Sequence, residues 1–150
     1  MQQVGEVISL FISNKELSQR EKVNSIELDT NGIINDKFYA KDKNRSVLIT
    51  SIDSYKMAKD KNIDLEYGLL GENLLIDYNP YSLTPKSQLL IGEVVLEIVQ
   101  NCTICKSLTK IDNKLPKLLK DDRGVFAKVI KSGLISDGDK IYLKKELAIS

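Results

Sequence analysis

Histidine and tryptophan are absent from the 150-residue sequence. The absence of histidine excludes Ser-His-Asp and Cys-His catalysis and any metal site that uses histidine ligands. Any chemistry in this protein must therefore use cysteine, lysine, arginine, aspartate, glutamate or tyrosine side chains, or a bound cofactor.

Long apolar runs and a secretion signal are also missing. No run approaches the ~20 apolar residues that a membrane-spanning helix needs, so we expect no membrane association. The first residues, MQQVGEVISLFISNKEL, lack the basic start and small-residue cleavage site of a secretory signal. Since the sequence also has only two cysteines, it predicts a protein of a reducing compartment, the cytoplasm.

The overall charge is nearly balanced, with 22 basic against 21 acidic side chains and a net charge of +1. A dedicated nucleic-acid-binding protein usually carries a basic excess, so nucleic acid is not an expected partner. One stretch departs from this balance, since residues 101–131 contain eight basic and three acidic residues. That local excess favours an anionic ligand, although a run of lysines is also typical of a solvated surface.

The apolar residues occur in short runs rich in β-branched side chains, which predict strands rather than long helices. We expect strands at 4–12, 25–28, 45–50, 73–78, 88–91, 93–100, 125–130 and 140–143. Helices are expected at 52–61, capped by Ser51, and at 115–120, with turns at 30–32, 79–80, 133 and 137–139. The sequence therefore predicts a single domain over 1–150 that is mostly β, a barrel or sandwich with a few short helices.

The two cysteines lie three residues apart in N-C-T-I-C-K, directly after the strand expected at 93–100. A zinc site would need about four ligands, and these two supply half of them. A thioredoxin-like dithiol would need a strand–helix–strand context that is not predicted here. Two interpretations remain: one reactive thiolate that carries sulfur or binds a metal, or two small buried side chains that pack.

Two short motifs are suited to binding a ligand. In Arg123-Gly124, the guanidinium offers a planar fork for phosphate and the glycine allows close approach of the backbone. In Gly71-Glu72-Asn73, a carboxylate and an amide lie next to a glycine and are able to bind a polar heterocycle. The second motif is equally typical of a turn that leads into a strand, so the residues alone leave its role open.

Several fragments, taken in order, resemble the MOSC domain, a module named after the C-terminal part of molybdenum cofactor sulfurases. The elements that carry the resemblance are Gly32-Ile33-Ile34-Asn35-Asp36, Arg45-Ser46-Val47-Leu48, Gly71-Glu72-Asn73-Leu74, Arg123-Gly124-Val125-Phe126-Ala127, and closing turns at Gly133 and Gly138-Asp139. Together they span most of the chain. The resemblance implies a mostly β, barrel-like fold with one active cysteine.

The resemblance implies that Cys105 is this active cysteine, since a basic residue, Lys106, follows it. In the family, the cysteine either carries a persulfide sulfur or ligates molybdenum in a bound pyranopterin cofactor. The implied binding residues are basic side chains for the phosphate or pterin, with a carboxylate and an amide in the same cleft: Arg45, Lys106, Arg123, Glu72 and Asn73.

The function implied by the resemblance is binding or delivery of sulfur or of the molybdenum cofactor through Cys105. The expected partner is a sulfur donor such as a cysteine desulfurase, or a molybdoenzyme. A second hypothesis, from the residues alone, is a cytoplasmic interaction domain without catalytic activity, in which the cysteines are structural. The local positive charge around Cys105 favours the first hypothesis.

Overall fold

The computed structural model describes residues 2–14, 20–102 and 107–144. Its strands are β1 (Gln2–Ile12), β2 (Glu21–Val23), β3 (Ser25–Asp29), β4 (Gly32–Ile33), β5 (Val47–Ser51), β6 (Leu74–Ile76), β7 (Gln88–Ile91), β8 (Val94–Asn101), β9 (Val125–Lys131), β10 (Gly133–Ser136) and β11 (Lys140–Lys144). Its helices are α1 (Ile52–Asp60), α2 (Ser107–Ile111) and α3 (Leu115–Leu118), with a 3-10 turn at Lys43–Arg45. In these three ranges, no helix has the length and apolar character of a membrane span.

Seven of these strands close into a barrel. Neighbouring strands follow the order β11-β7-β8-β9-β5-β6-β1, and β1 pairs with β11 to complete the ring. The β5–β6 pair is parallel and its crossover contains α1, whereas the other pairs in the ring are antiparallel. Strand β2 extends the edge of β1, and β10, β3 and β4 form a separate sheet. The mostly β, barrel-like fold with a few short helices is thereby confirmed.

The barrel interior is filled by side chains from alternate positions of its strands. On β8, Val94, Leu96 and Ile98 are buried, whereas the residues between them are partly exposed. The same alternation on β9 buries Val125, Ala127 and Val129. Side chains along a strand alternate between its two faces, so this pattern marks the inner face. Each large aliphatic side chain buried there contributes about 1.5–3 kcal/mol to folding.

A second apolar cluster lies outside the barrel, beneath the helices. Its buried members are Phe11, Tyr55, Ala58, Ile63, Leu70, Leu75, Leu108, Leu115 and Leu119. Leu75 of β6 belongs to this cluster, whereas Leu74 and Ile76 on either side of it belong to the barrel core. Both faces of β6 are therefore buried, which explains why its sequence is apolar throughout instead of alternating.

Helix α1 begins as the sequence predicts. Ser51 is its N-cap, and the Ser51 hydroxyl accepts a hydrogen bond from the Asp53 amide at 3.0 Å. The helix ends at Asp60, one residue before the predicted end. Its buried side carries Tyr55, whose hydroxyl accepts a hydrogen bond from the Gly68 amide in the loop before β6. The helix is therefore tied to that loop.

The structure differs from the sequence-based expectations at several short segments. Arg45, expected to begin a strand, lies in the 3-10 turn, and β5 starts at Val47. Gly133, expected as a turn, opens β10 and pairs with Leu28 of β3. Strands β2 and β4 have no counterpart among the expected strands. Strands this short form because a neighbouring strand offers backbone hydrogen bonds. Such tertiary contacts cannot be predicted from a local sequence pattern.

Candidate functional site

The candidate site lies on the outer face of the β5–β9 pair. Val47 and Ile49 of β5 belong to the barrel core, whereas Leu48 between them lines a cavity of about 430 Å³. On β9, Phe126 pairs with Leu48 across the two strands and lines the same cavity. A volume in this range suits a small-molecule ligand. The alternation that builds the core therefore also builds one wall of the cavity.

Basic side chains from distant parts of the chain converge on this cavity. Arg20, Lys41, Arg45 and Arg123 all line it, and Asp42 is the one acidic residue among the described lining residues. Several like charges around a partly enclosed space raise the local concentration of counter-ions. The cavity therefore favours an anionic ligand.

Two of the arginines lie against aromatic rings. The guanidinium carbon of Arg45 is 5.3 Å from the centroid of the Phe126 ring, and that of Arg20 is 6.0 Å from the centroid of the Phe38 ring. A planar guanidinium is attracted to the face of an aromatic ring, which restricts the orientation of the side chain. The same rings supply apolar surface on which a planar ligand can stack.

Arg123 is held firmly at the start of β9. It is 8% exposed, and its Nε and Nη2 atoms both donate hydrogen bonds to the Leu70 carbonyl oxygen at 3.1 Å. Its own carbonyl accepts a hydrogen bond from the Thr50 hydroxyl at 2.8 Å. A Cβ at Gly124 would lie 2.9 Å from the Ile49 carbonyl oxygen, so glycine allows the chain to approach β5 this closely. These contacts fix where the guanidinium reaches the cavity.

Asn73 lines the cavity but also joins two strands. Its Oδ1 accepts a hydrogen bond from the Leu48 amide at 3.0 Å, and its Nδ2 donates to the Phe11 carbonyl oxygen at 3.2 Å. Its backbone amide and carbonyl bond to the same two residues, at 2.9 and 2.8 Å. The side chain thus extends the β-type bonding between β1 and β5, and these bonds fix its position in the cavity wall.

Glu72, which the sequence expects in the cleft, is fully buried and does not line the cavity, although Gly71 and Asn73 on either side of it do. Its Oε2 accepts hydrogen bonds from the Tyr55 hydroxyl at 2.5 Å and the Gly68 amide at 3.1 Å. Neighbouring side chains of an extended segment point to opposite sides, so a cavity position for Asn73 turns Glu72 away from it.

The two cysteines have different standing in the structure. Cys102 is buried, lines the cavity, and donates its backbone amide to the Gly124 carbonyl oxygen at 2.9 Å. This bond places Cys102 beside the Arg123-Gly124 motif. Cys105 and Lys106 lie outside the described residues, so their roles stay predictions. The sequence signal that links Cys102 to this site is its position directly after β8, since the end of β8 pairs with the start of β9.

Arg20 and Phe38 line the cavity without any signal in the sequence. The Arg20 Nη1 atom is buried and has no hydrogen-bond partner in the described part of the chain, although it lies 4.0 Å from the Asp36 Oδ1 atom. The Asp36 carboxylate accepts hydrogen bonds from the Ser13 amide at 2.6 Å and the Phe38 amide at 3.0 Å. Burial lowers the pKa of the Arg20 guanidinium, and the negative charge of Asp36 opposes that shift. Asp36 therefore orients a cavity arginine.

Comparison with known proteins gives a family and several structural relatives. The family model described as MOSC domain matches residues 36–142. A search of curated proteins found no match. The crystal structure of the YuaD protein from Bacillus subtilis aligns with a TM-score of 0.81 and 16% identity, over 95% of this chain and 97% of that one.

Two structures of YiiM are also similar to this chain. YiiM from Geobacillus stearothermophilus aligns with a TM-score of 0.77 and 13% identity, over 94% of this chain and 75% of that one. YiiM from Escherichia coli aligns with a TM-score of 0.71 and 16% identity, over 98% of this chain and 71% of that one. At these identities the likeness establishes the fold alone. The family match covers well over half of the sequence, including both arginine motifs, and on this basis the chain belongs to the MOSC domain family.

Proposed function

We propose that this protein binds the molybdenum cofactor in the 430 Å³ cavity, with arginines on its anionic groups and a cysteine thiolate beside its metal. One observation carries the proposal: Arg45, Arg123 and Cys102, from three separate segments, line the same cavity. Guanidinium groups are suited to phosphate because their planar forks match its oxygens. Thiolates are suited to molybdenum because soft metals favour sulfur ligands.

The donors in the cavity fit the charge of such a ligand. The buried Arg20 Nη1 atom lacks a hydrogen-bond partner in the described part of the chain, and a buried donor of this kind is costly unless a ligand or water satisfies it. A phosphate oxygen would accept that bond, and Arg45 would contribute a second charge. Asp42 lines the same cavity, so the ligand should place a cationic or hydrogen-bonding edge near it.

The shape and composition of the wall fit a flat heterocycle. Phe38 and Phe126 provide two aromatic surfaces, and Leu48 lies between the basic groups. No group of three or more cysteine, aspartate and glutamate side chains within residues 2–14, 20–102 and 107–144 is placed to hold a bare metal ion. A metal at this site would therefore bring its own organic ligands, as a pyranopterin does. When bound, that group would supply the redox-active or sulfur-accepting metal centre.

Different observations favour each of the two cysteines as the reactive thiol. Cys105 has the sequence argument, because the neighbouring Lys106 favours the thiolate. Cys102 has the structural argument, because it is among the residues that line the cavity. A sulfur-carrier role, with a cysteine desulfurase as donor and a molybdoenzyme as acceptor, needs a thiolate at one of these positions. The short spacing places both within one segment, so single substitutions are needed to separate them.

The test is to purify the protein from cells that make the cofactor and to measure molybdenum per chain. We expect bound molybdenum in the unaltered protein and a loss of tenfold or more in Arg123→Ala, since a lost charged hydrogen-bond partner costs roughly 1.5–3 kcal/mol. Lys128→Ala is the matched control, because Lys128 lies on β9, the strand that follows Arg123, but pairs with Glu97 at 3.3 Å and is not among the residues that line the cavity.

Sulfur transfer is tested separately. The protein is incubated with a cysteine desulfurase and labelled cysteine, and the label bound per chain is measured for Cys102→Ala and Cys105→Ala. Loss of label in one variant identifies the carrier cysteine. Absence of both molybdenum and label from the unaltered protein would contradict the proposal and would favour an interaction domain with structural cysteines.

A further inference from the structure

A buried network behind the cavity connects α1 to Arg123. The Tyr55 hydroxyl donates to Glu72 Oε2 at 2.5 Å and accepts hydrogen bonds from the amides of Gly68 at 3.0 Å and Leu70 at 3.3 Å. The Gly68 amide also reaches Glu72 Oε2 at 3.1 Å. One phenol and one carboxylate therefore hold two amides of the loop 68–71.

The same loop holds Arg123 from its other side. The Leu70 carbonyl oxygen accepts hydrogen bonds from both Nε and Nη2 of Arg123 at 3.1 Å. Gly71 has φ +90, and a Cβ there would lie 3.4 Å from Arg123 Nη2, so the loop packs closely against the guanidinium. A movement of the loop would therefore change the orientation of the Arg123 guanidinium.

We propose that Tyr55 and Glu72 are positioning residues, which hold the loop 68–71 so that the Leu70 carbonyl orients the Arg123 guanidinium toward the cavity. This inference rests on the proposed function, in which Arg123 binds the anionic part of the ligand. Neither Tyr55 nor Glu72 lines the cavity, so both act through the loop. The contacts run from the Tyr55 phenol and the Glu72 carboxylate to the backbone of the loop, and from the Leu70 carbonyl to the Arg123 guanidinium.

The charge of Glu72 adds a second effect on the cavity. Glu72 is fully buried, and burial raises the pKa of its carboxyl, whereas the bonds from Tyr55 and Gly68 and the charge of Arg20 lower it. Tyr55 and Tyr81 also interact electrostatically with this carboxyl, and the pKa of each phenol is raised, with burial as the largest cause. Glu72 interacts electrostatically with Arg20, so an ionised Glu72 disfavours an anion at Arg20, and a variant with a neutral acceptor at position 72 should bind the anion at least as tightly.

The experiment measures the affinity for inorganic phosphate by calorimetry at low salt, where charge effects are least screened. Tyr55→Phe keeps the ring and removes the hydroxyl, and we expect the Kd for phosphate to rise about fivefold or more because the Leu70 amide loses its bond to the hydroxyl and the Gly68 amide is left with Glu72 alone. Tyr39→Phe is the matched control, since its hydroxyl makes an equally short bond, 2.5 Å, to a carboxylate oxygen of Asp29. We expect no change in Kd for that variant.

Two further variants distinguish positioning from a general loss of stability. Glu72→Gln keeps an acceptor oxygen and removes the charge, so it should bind phosphate at least as tightly as the unaltered protein, whereas Glu72→Ala should bind it more weakly. In an Arg123→Ala background, Tyr55→Phe should have no further effect on Kd, because residues that act through one another are not additive. Equal losses from Tyr55→Phe with and without Arg123 would overturn the inference.

A readout without ligand separates this inference from the proposed function. Hydrogen exchange of the Arg123 Nε–H, followed by NMR, should be several-fold faster in Tyr55→Phe than in Tyr39→Phe, since the first releases the loop whose Leu70 carbonyl accepts this bond. If phosphate does not bind at all but the exchange rate rises, the anion site fails and the positioning role stands. If the exchange rate is unchanged by Tyr55→Phe, the positioning role is wrong whether or not phosphate binds.

Discussion

The inner and outer faces of the β5–β9 pair are built by the same strands for different purposes. On the inner face, Ile49 and Val125 pair across the two strands within an apolar core. On the outer face, Leu48 and Phe126 pair at the neighbouring position and line a cavity with several positive charges. A period of two residues thus separates a face packed into the core from a face that lines a cavity.

The difference shows in how the polar groups are satisfied. The inner face contains aliphatic side chains that stabilise the fold through burial, so the shape and volume of each side chain decide how much it contributes to the stability of the protein. The outer face contains Arg20 with a buried donor that lacks a hydrogen-bond partner in the described part of the chain. Such a group lowers stability unless a partner satisfies it, and the aliphatic side chains of the inner face carry no cost of this kind.

The largest expected effect belongs to the inner face. Ile49→Ala should lower the free energy of unfolding by about 3 kcal/mol, because Ile49 is fully buried in the barrel core and its loss leaves a cavity. Denaturant titration measures this change. The Kd for phosphate should not change where the variant is folded, and a large change would show that the two faces are coupled.

The next effect belongs to the outer face. Arg123→Lys should raise the Kd for phosphate about tenfold, because an ammonium group cannot reproduce the paired Nε and Nη2 bonds to the Leu70 carbonyl and also reach the ligand. Calorimetric titration measures the Kd for phosphate, and Ile49→Ala, whose Kd should not change, is the control. An unchanged Kd would mean that the charge alone, without the orientation of the guanidinium, is sufficient for binding.

Glu72 gives the comparison a pH dependence. Burial raises the pKa of its carboxyl above the ordinary 4.5, so the folded protein binds this proton more tightly than the unfolded chain does. The free energy of unfolding should therefore fall as pH rises from about 4.5 to the raised value, by up to ~1.4 kcal/mol per pH unit for one proton. Glu72→Gln should remove this slope.

Unfolding midpoints of Glu72→Gln and the unaltered protein across this range measure the effect. The difference between the two free energies should grow with pH in favour of the glutamine variant. A constant difference would show that the carboxyl has the same affinity for its proton in the folded and unfolded states.

The smallest effect is expected outside both faces. Lys128 and Glu97 form an ion pair at 3.3 Å with partly exposed side chains. Because solvent screens such pairs, Lys128→Ala should change the free energy of unfolding by about 0.5 kcal/mol or less and leave the Kd for phosphate unchanged. A cost above about 1 kcal/mol in denaturant titration would contradict this and would place Lys128 in a more important packing role.

Local sequence patterns account for most of the barrel. The alternation in β8 and β9, the Ser51 cap of α1 and the turn residues near Asn31 and Gly138 are short-range signals, and the structure has elements at each. The positions of β2, β4 and β10 do not follow from such signals, because each depends on the strand it pairs with.

The candidate site divides along the same line. The motifs containing Arg45, Asn73 and Arg123 are visible in the sequence, and the structure brings all three to one cavity. The sequence also groups Glu72 with Asn73, but the two point in opposite directions, and this depends on which side of the segment faces the β5 strand. Arg20 lies at the cavity and next to Asp36, which is a tertiary contact between separate segments.

Residue type and spacing are therefore enough to specify a mostly β chain with ordered arginine motifs, since propensity, capping and alternation act over a few residues. The closure of β1 against β11 and the division into a core face and a cavity face depend on contacts between residues far apart in the chain. Those contacts form only when the whole barrel excludes water, and the same exclusion buries Glu72 against Tyr55 and leaves the guanidinium groups at the cavity wall.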